Sequence, residues 1–150
     1  MRICGLAMLC SVLGATAVFG NETIPVLTLW THGGPPGSDQ FLVQINQSRV
    51  LEVSHLSHPI TASGMTESKH TVALTQQQVD KLMALALDAT DFSEGCNVVA
   101  DGTAADLVVL TKSEPTKRSC AGASTWPVGS KTKLFLDDLN SLLPGDFRVY

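Results

Sequence analysis

The sequence predicts an α+β fold: an antiparallel sheet of about five or six strands with two helices packed on one face, in the order strands, helix, hairpin, helix. Three observations predict it. Short segments rich in β-branched and large apolar residues, several of them alternating, fill the first half of the chain. The segments 75–92 and 131–143 carry apolar residues at helical spacing. Each of those helices presents one apolar stripe, which suits a sheet with one covered face.

Ile24 to His32 (IPVLTLWTH) alternates and reads as the first strand. Gly33-Gly34-Pro35-Pro36-Gly37 then forms a loop, because the two prolines lack the N–H that a helix or central strand needs. Phe41 to Ile45 is a second strand, Asn46-Gln47-Ser48 a turn, and Arg49 to Leu56 a third strand with Leu51, Val53 and His55 on one face. Ser57 to Ser68 is polar and reads as a loop, and His70 to Leu74 as a short fourth strand.

Thr75 opens the first helix. Its hydroxyl can accept the Gln78 N–H while the Gln78 side chain reaches back, and Leu74 and Val79 stand at the staple positions. Val79, Leu82, Met83, Ala86 and Thr90 form the stripe, with Leu85, Ala89 and Phe92 beside it. Gln77, Asp80, Lys81, Asp88 and Asp91 gather opposite as a solvated face. Asp101-Gly102 marks a turn, and the strands Asp106 to Thr111 and Lys117 to Ser124 make a hairpin. Ser130 caps a second helix over 131–143 with Phe135, Leu139, Leu142 and Leu143 on one side, stopped by Pro144-Gly145. A short tail or edge strand ends the chain.

Residues 1–20 read as a secretory signal peptide: Arg2 is the positive start, Ile3 to Leu13 the apolar run, and cleavage is expected after Gly20 or, second, after Ala17. That leaves 21–150 as a single domain with one core, and no later segment apolar enough to cross a membrane. With Arg2 gone, nine Lys and Arg face fourteen Asp and Glu, and no basic cluster exceeds Lys117-Arg118. Nucleic-acid binding needs concentrated positive charge and is disfavoured. Cys96 and Cys120 are the pair left after cleavage, and in an oxidising compartment they are expected to form a disulfide. A periplasmic or secreted location follows. Asn21-Glu22-Thr23 and Asn46-Gln47-Ser48 match the glycosylation sequon.

No nucleophile elbow, phosphate loop, dinucleotide fingerprint or zincin motif occurs, so no catalytic residue and no cofactor is assigned. His55 and His58 are the one metal-like spacing. On a strand the odd offset sends them to opposite faces, and Pro59 argues against a helix there. A metal-binding or hydrolytic envelope protein using His55 and His58 is the alternative reading, and a structural envelope protein a third. Asp101 and Asp106 lack the regular oxygen ligands of a calcium loop and read as a turn and a strand start. Two features suit contact with another protein: the loop His32, Gly33, Gly34, Pro35, Pro36, whose partial rigidity limits the entropy lost on binding, and Trp126, a large aromatic in a loop.

Thr31-His32-Gly33-Gly34, Leu74-Thr75 through Ala89-Thr90-Asp91-Phe92, Asp101 before Leu107-Val108-Val109, and Leu134 to Leu143 together resemble the layout of emfourin-type domains. These are small bacterial α+β proteins named for an inhibitor of thermolysin-like metallopeptidases. The Pro-Pro after Gly34, the signal peptide and the cysteine pair depart from that pattern. Taken with the signal peptide and the lack of catalytic motifs, the resemblance implies an exported small binding protein, an inhibitor or immunity-type partner of a secreted hydrolase, a protease or a cell-wall-active toxin, with the Gly-Gly loop as a contact site.

Overall fold

A computed structural model of the chain describes residues 25–34, 38–57, 66–94, 96, 103–112, 114–122 and 126–149. The expected leader, Pro35, Pro36, His58 and Asp101 lie outside the described residues. Six strands form one antiparallel sheet: β1 (Pro25–Gly33), β2 (Gln40–Asn46), β3 (Val50–Ser57), β4 (Thr66–Ala73), β5 (Thr103–Leu110) and β6 (Pro115–Cys120), with α1 (Gln76–Asp88) after β4 and α2 (Lys131–Ser141) after β6. The order across the sheet is β4-β3-β2-β1-β5-β6. The first four strands meander outward from β1. The chain then passes through α1 to β5, on the other side of β1.

Alternation decides which face is covered. Leu27 and Leu29 of β1 are fully buried, as are Val43, Ile45, Leu51, Leu107 and Val109 on the neighbouring strands. Register stacks them in rows: Leu29 lies opposite Val43 and Leu107, and Leu27 opposite Ile45 and Val109. Val79, Leu82 and Ala86 of α1, with Phe135, Leu136 and Leu139 of α2, complete the core. Each large side chain so buried stabilises the fold by about 2 kcal/mol. The helices pack on each other and α1 packs on β5. Fold class, helix placement and element order are those the sequence predicts.

Polar contacts fix the helices at their ends. The capping box at Thr75 is complete: Gln78 N–H donates to Thr75 Oγ1 at 3.2 Å, and Thr75 N–H to Gln78 Oε1 at 2.8 Å. At α2, Ser130 Oγ accepts the Lys133 N–H. Asp91 accepts the Lys131 and Thr132 N–H groups, each at 2.8 Å, and the hydroxyl of the fully buried Thr132. Arg118 reaches from β6 to the other end of α1, donating to the carbonyls of Ala86 and Leu87, each at 2.8 Å. Lys81 pairs with Asp138, and Lys131 with Asp88. The polar side of α1 is thus a fastening as well as a solvated face, which corrects the expectation for Asp88 and Asp91.

Several bounds differ from the sequence reading, among them β5, which begins at Thr103 rather than Asp106, and α2, which ends at Ser141 rather than Leu143. Other differences have a plain physical reason. β4 begins at Thr66, inside the expected loop, because an edge strand needs no apolar alternation. α1 stops at Asp88 rather than Phe92, with Asp91 turned to cap α2. β6 starts at Pro115 and ends at Cys120, since proline is tolerated as the first residue of an edge strand. A single 3-10 turn, Gly145–Phe147, leads into the tail, which Asn140 ties to Val149 through two hydrogen bonds. Cys96 and Cys120 are disulfide-bonded, with Cα atoms 5.4 Å apart.

Two stability outcomes are expected. Asp91→Ala leaves the start of α2 without its acceptor and should cost about 2 kcal/mol by denaturant unfolding. Removing the disulfide with Cys96→Ala and Cys120→Ala frees a loop spanning 24 residues and should cost about 3 kcal/mol in the same assay.

Candidate functional site

The residues of β1 that do not enter the core point to the other side of the sheet. Trp30 is 44% exposed there. Two residues on, His32 shares that face, and its ring lies 4.3 Å from the Trp30 ring in a tilted contact. Register brings Asp106 of β5 directly opposite Trp30, and Ser119 of β6 directly opposite Asp106. On the far side of Trp30, Leu42, Ser54 and Lys69 continue the same row through β2, β3 and β4.

Asp106 organises the charged part of this face. Its Oδ1 accepts the Ser119 hydroxyl at 2.5 Å and lies 3.8 Å from Lys117 Nζ. Its Oδ2 is 3.2 Å from His32 Nε2. The Ser119 hydrogen bond lowers the Asp106 pKa most. Partial burial opposes it, and the His32 contact and Lys117 charge add to the lowering. Asp106 is therefore held ionised, with His32 Nε2 as the donor toward it.

This arrangement is not a serine-hydrolase relay. In such a relay the imidazole stands between hydroxyl and carboxylate, so that it can take the hydroxyl proton. Here the carboxylate stands between Ser119 and His32. A stably ionised carboxylate is a poor base for a serine hydroxyl and a poor general acid. What the constellation does is fix the His32 ring, and through it brace the exposed Trp30.

The loop residues expected to make contact divide. His32 is in the cluster. Gly33 ends β1 in the left-handed region, at φ 77°, and Gly34 follows at φ 90°. A Cβ on Gly34 would meet Ser38 Oγ at 2.6 Å and Thr103 Oγ1 at 2.9 Å, so the turn beside the cluster requires glycine there. Trp126 is a correction: it is 4% exposed, stacks on Phe92 at 5.4 Å, and donates from Nε1 to the Phe92 carbonyl at 3.1 Å. It belongs to the core and is no surface anchor.

His55 lies on the helix-covered side of β3, stacked on Phe41 at 4.6 Å. Its Nε2 is 3.0 Å from Asp39 Oδ1, close enough for an ion pair but misaligned for a hydrogen bond. Among the described residues, no group of three or more His, Cys, Asp or Glu is placed to hold a metal. Among the same residues, no helix is long and apolar enough to cross a membrane.

Trp30, Asp106, Lys117 and Ser119 are functional candidates that reading the sequence missed. Alternation does carry a signal for two of them. Trp30 falls on the outward phase of β1, and Asp106 is the charge on the outward phase of an otherwise apolar strand. Their meeting depends on cross-strand register, which no local pattern encodes. No protein-family model matches the chain and no curated protein matches it, so the resemblance to emfourin-type domains rests on the quoted residues alone.

The acid response follows from two lowered carboxylates. At Asp91, burial is the largest influence and raises the pKa, but the Thr132 hydroxyl and the Thr132 and Lys131 N–H groups outweigh it, leaving the value lowered. Each group contributes stability that is complete above its unfolded value, near about pH 4, and lost as pH falls through the lower folded value. Melting temperature should therefore fall as the pH drops below about 4, and Asp106→Asn should flatten that fall while costing about 1 kcal/mol at pH 7.

Proposed function

We propose that this chain is an exported binding domain that recognises a protein partner through the uncovered face of its sheet, around Trp30, His32 and the Gly33-Gly34 turn. One observation carries the reading: a half-exposed tryptophan stands on a sheet face that neither helix covers, braced by a histidine that Asp106 holds in place. A tryptophan fixed in this way presents a large contact area and loses little conformational freedom on binding. The Gly33-Gly34 turn closes β1 directly after His32, at the same end of the strand.

The Cys96–Cys120 disulfide and the sequence of residues 1–20 support a periplasmic or extracellular setting. The resemblance to emfourin-type domains supports a secreted hydrolase, a protease or a cell-wall-active enzyme, as the partner. Action by binding rather than by catalysis fits the position of Asp106 between Ser119 and His32.

Capture from an envelope or culture fraction on immobilised protein, read by mass spectrometry, tests the reading. A single hydrolase should be retained. Trp30→Ala should weaken its binding roughly 30-fold, as expected for an aromatic hot spot. Leu134→Ala, on the exposed side of α2, should leave it unchanged. Equal capture by the Trp30→Ala variant would contradict the assignment.

A further inference from the structure

The two edges of the sheet are finished differently. On β6, Pro115 has no N–H to offer, the Ser119 carbonyl accepts the Ser93 hydroxyl at 3.0 Å, and Cys120 is tied to Cys96. The edge is blunted. β4 is the opposite case: its eight residues contain no proline or glycine, and they pair with β3 without a bulge from Thr66 to Ala73. Most of its residues are exposed. Such an edge is a template for another strand unless its side chains forbid it.

Main-chain phase shows what the edge offers. Leu74 N–H donates to the Arg49 carbonyl at 2.8 Å, one step beyond the Val50–Ala73 pair. In an antiparallel ladder the bonding direction alternates, so the even-numbered residues of β4 bond to β3. Glu67, Lys69, Thr71 and Ala73 then turn their N–H and C=O groups outward.

The side chains select one occupant. Glu67 and Lys69 lie two apart on the open face, with Lys69 Nζ 3.2 Å from Glu67 Oε1. An edge bearing lysine alone would repel itself. This one is self-complementary about Ser68: a two-fold axis there places Glu67 opposite Lys69 of a second copy and Lys69 opposite its Glu67. Both pairs are then of the outward-bonding kind. Shifting the axis to Lys69 would set two lysines face to face, so charge favours the first register over the second. We propose that a second copy of this chain adds to β4 in the antiparallel sense about Ser68, continuing the sheet through both molecules. This contact leaves the Trp30 end of the sheet free and is independent of the proposed partner.

A single strand pair buries less than about 1,000 Å², so the dimer is weak, with a Kd on the order of 100 µM. Sedimentation equilibrium of the mature protein up to about 1 mM should show it. Lys69→Glu sets like charges opposite at two places and should raise the Kd at least about tenfold. The double exchange Glu67→Lys with Lys69→Glu restores complementarity and should return the Kd to within about threefold of the original. Ser68→Cys should cross-link copies under mild oxidation, and Thr71→Cys should not. A wild-type protein that stays monomeric at 1 mM would overturn the proposal and leave the edge to a strand of another protein. An unchanged Kd in Lys69→Glu, no recovery in the double exchange, or equal cross-linking by the two cysteine variants would overturn it as well.

Discussion

Everything in this structure depends on the phase of β1. Leu27, Leu29 and Thr31 point to one side of the sheet, and Thr28, Trp30 and His32 to the other. Because β1 is central, with β2 on one flank and β5 on the other, its phase sets that of its neighbours. A slip of one residue would expose two leucines and bury a tryptophan beside a histidine. Thr31 reinforces the register at the end of the strand: its buried Oγ1 accepts the Phe41 N–H at 2.7 Å. The covered face, the open face and the candidate site are three consequences of that alternation.

Two helices on one side must be held at their ends as well as by their apolar stripes. Here a small set of polar side chains performs that task. Asp91 leaves α1's end to cap α2, Arg118 crosses from β6 to the last carbonyls of α1, and the Cys96–Cys120 bridge closes the same region. Trp126 roofs it, stacked on Phe92. The junction between helices and hairpin is therefore built for rigidity. The open face has no comparable demand on it, since its residues need only keep strand geometry. That freedom is what allows a tryptophan, a histidine and an ionised aspartate to stand there together.

Much of the fold was legible because it rests on local pattern. The capping box at Thr75, the stripe through Val79, Leu82 and Ala86, and the alternation of β1, β3 and β5 are all periodic or positional signals. β4 was half hidden because Thr66 to Lys69 is polar on both faces, its pairing resting on main-chain bonds that any residue can make. The site was legible only at His32 and the Gly33-Gly34 turn. Asp106 looked like the start of a strand, and Ser119 like one residue of a hairpin. Their contact comes from the antiparallel register of β1, β5 and β6. Trp126 misled for a related reason: a tryptophan in a loop reads as exposed until the chain's return over Phe92 is known.

The account turns on one asymmetry between the two tryptophans of the chain. Trp30 stands on the open face and Trp126 is enclosed. Limited oxidation of the native protein with N-bromosuccinimide, followed by peptide mapping, reads that asymmetry directly. The account predicts that Trp30 is oxidised first and that Trp126 reacts only after unfolding. Oxidation of Trp126 in the native protein at the rate of Trp30, or ahead of it, would contradict it.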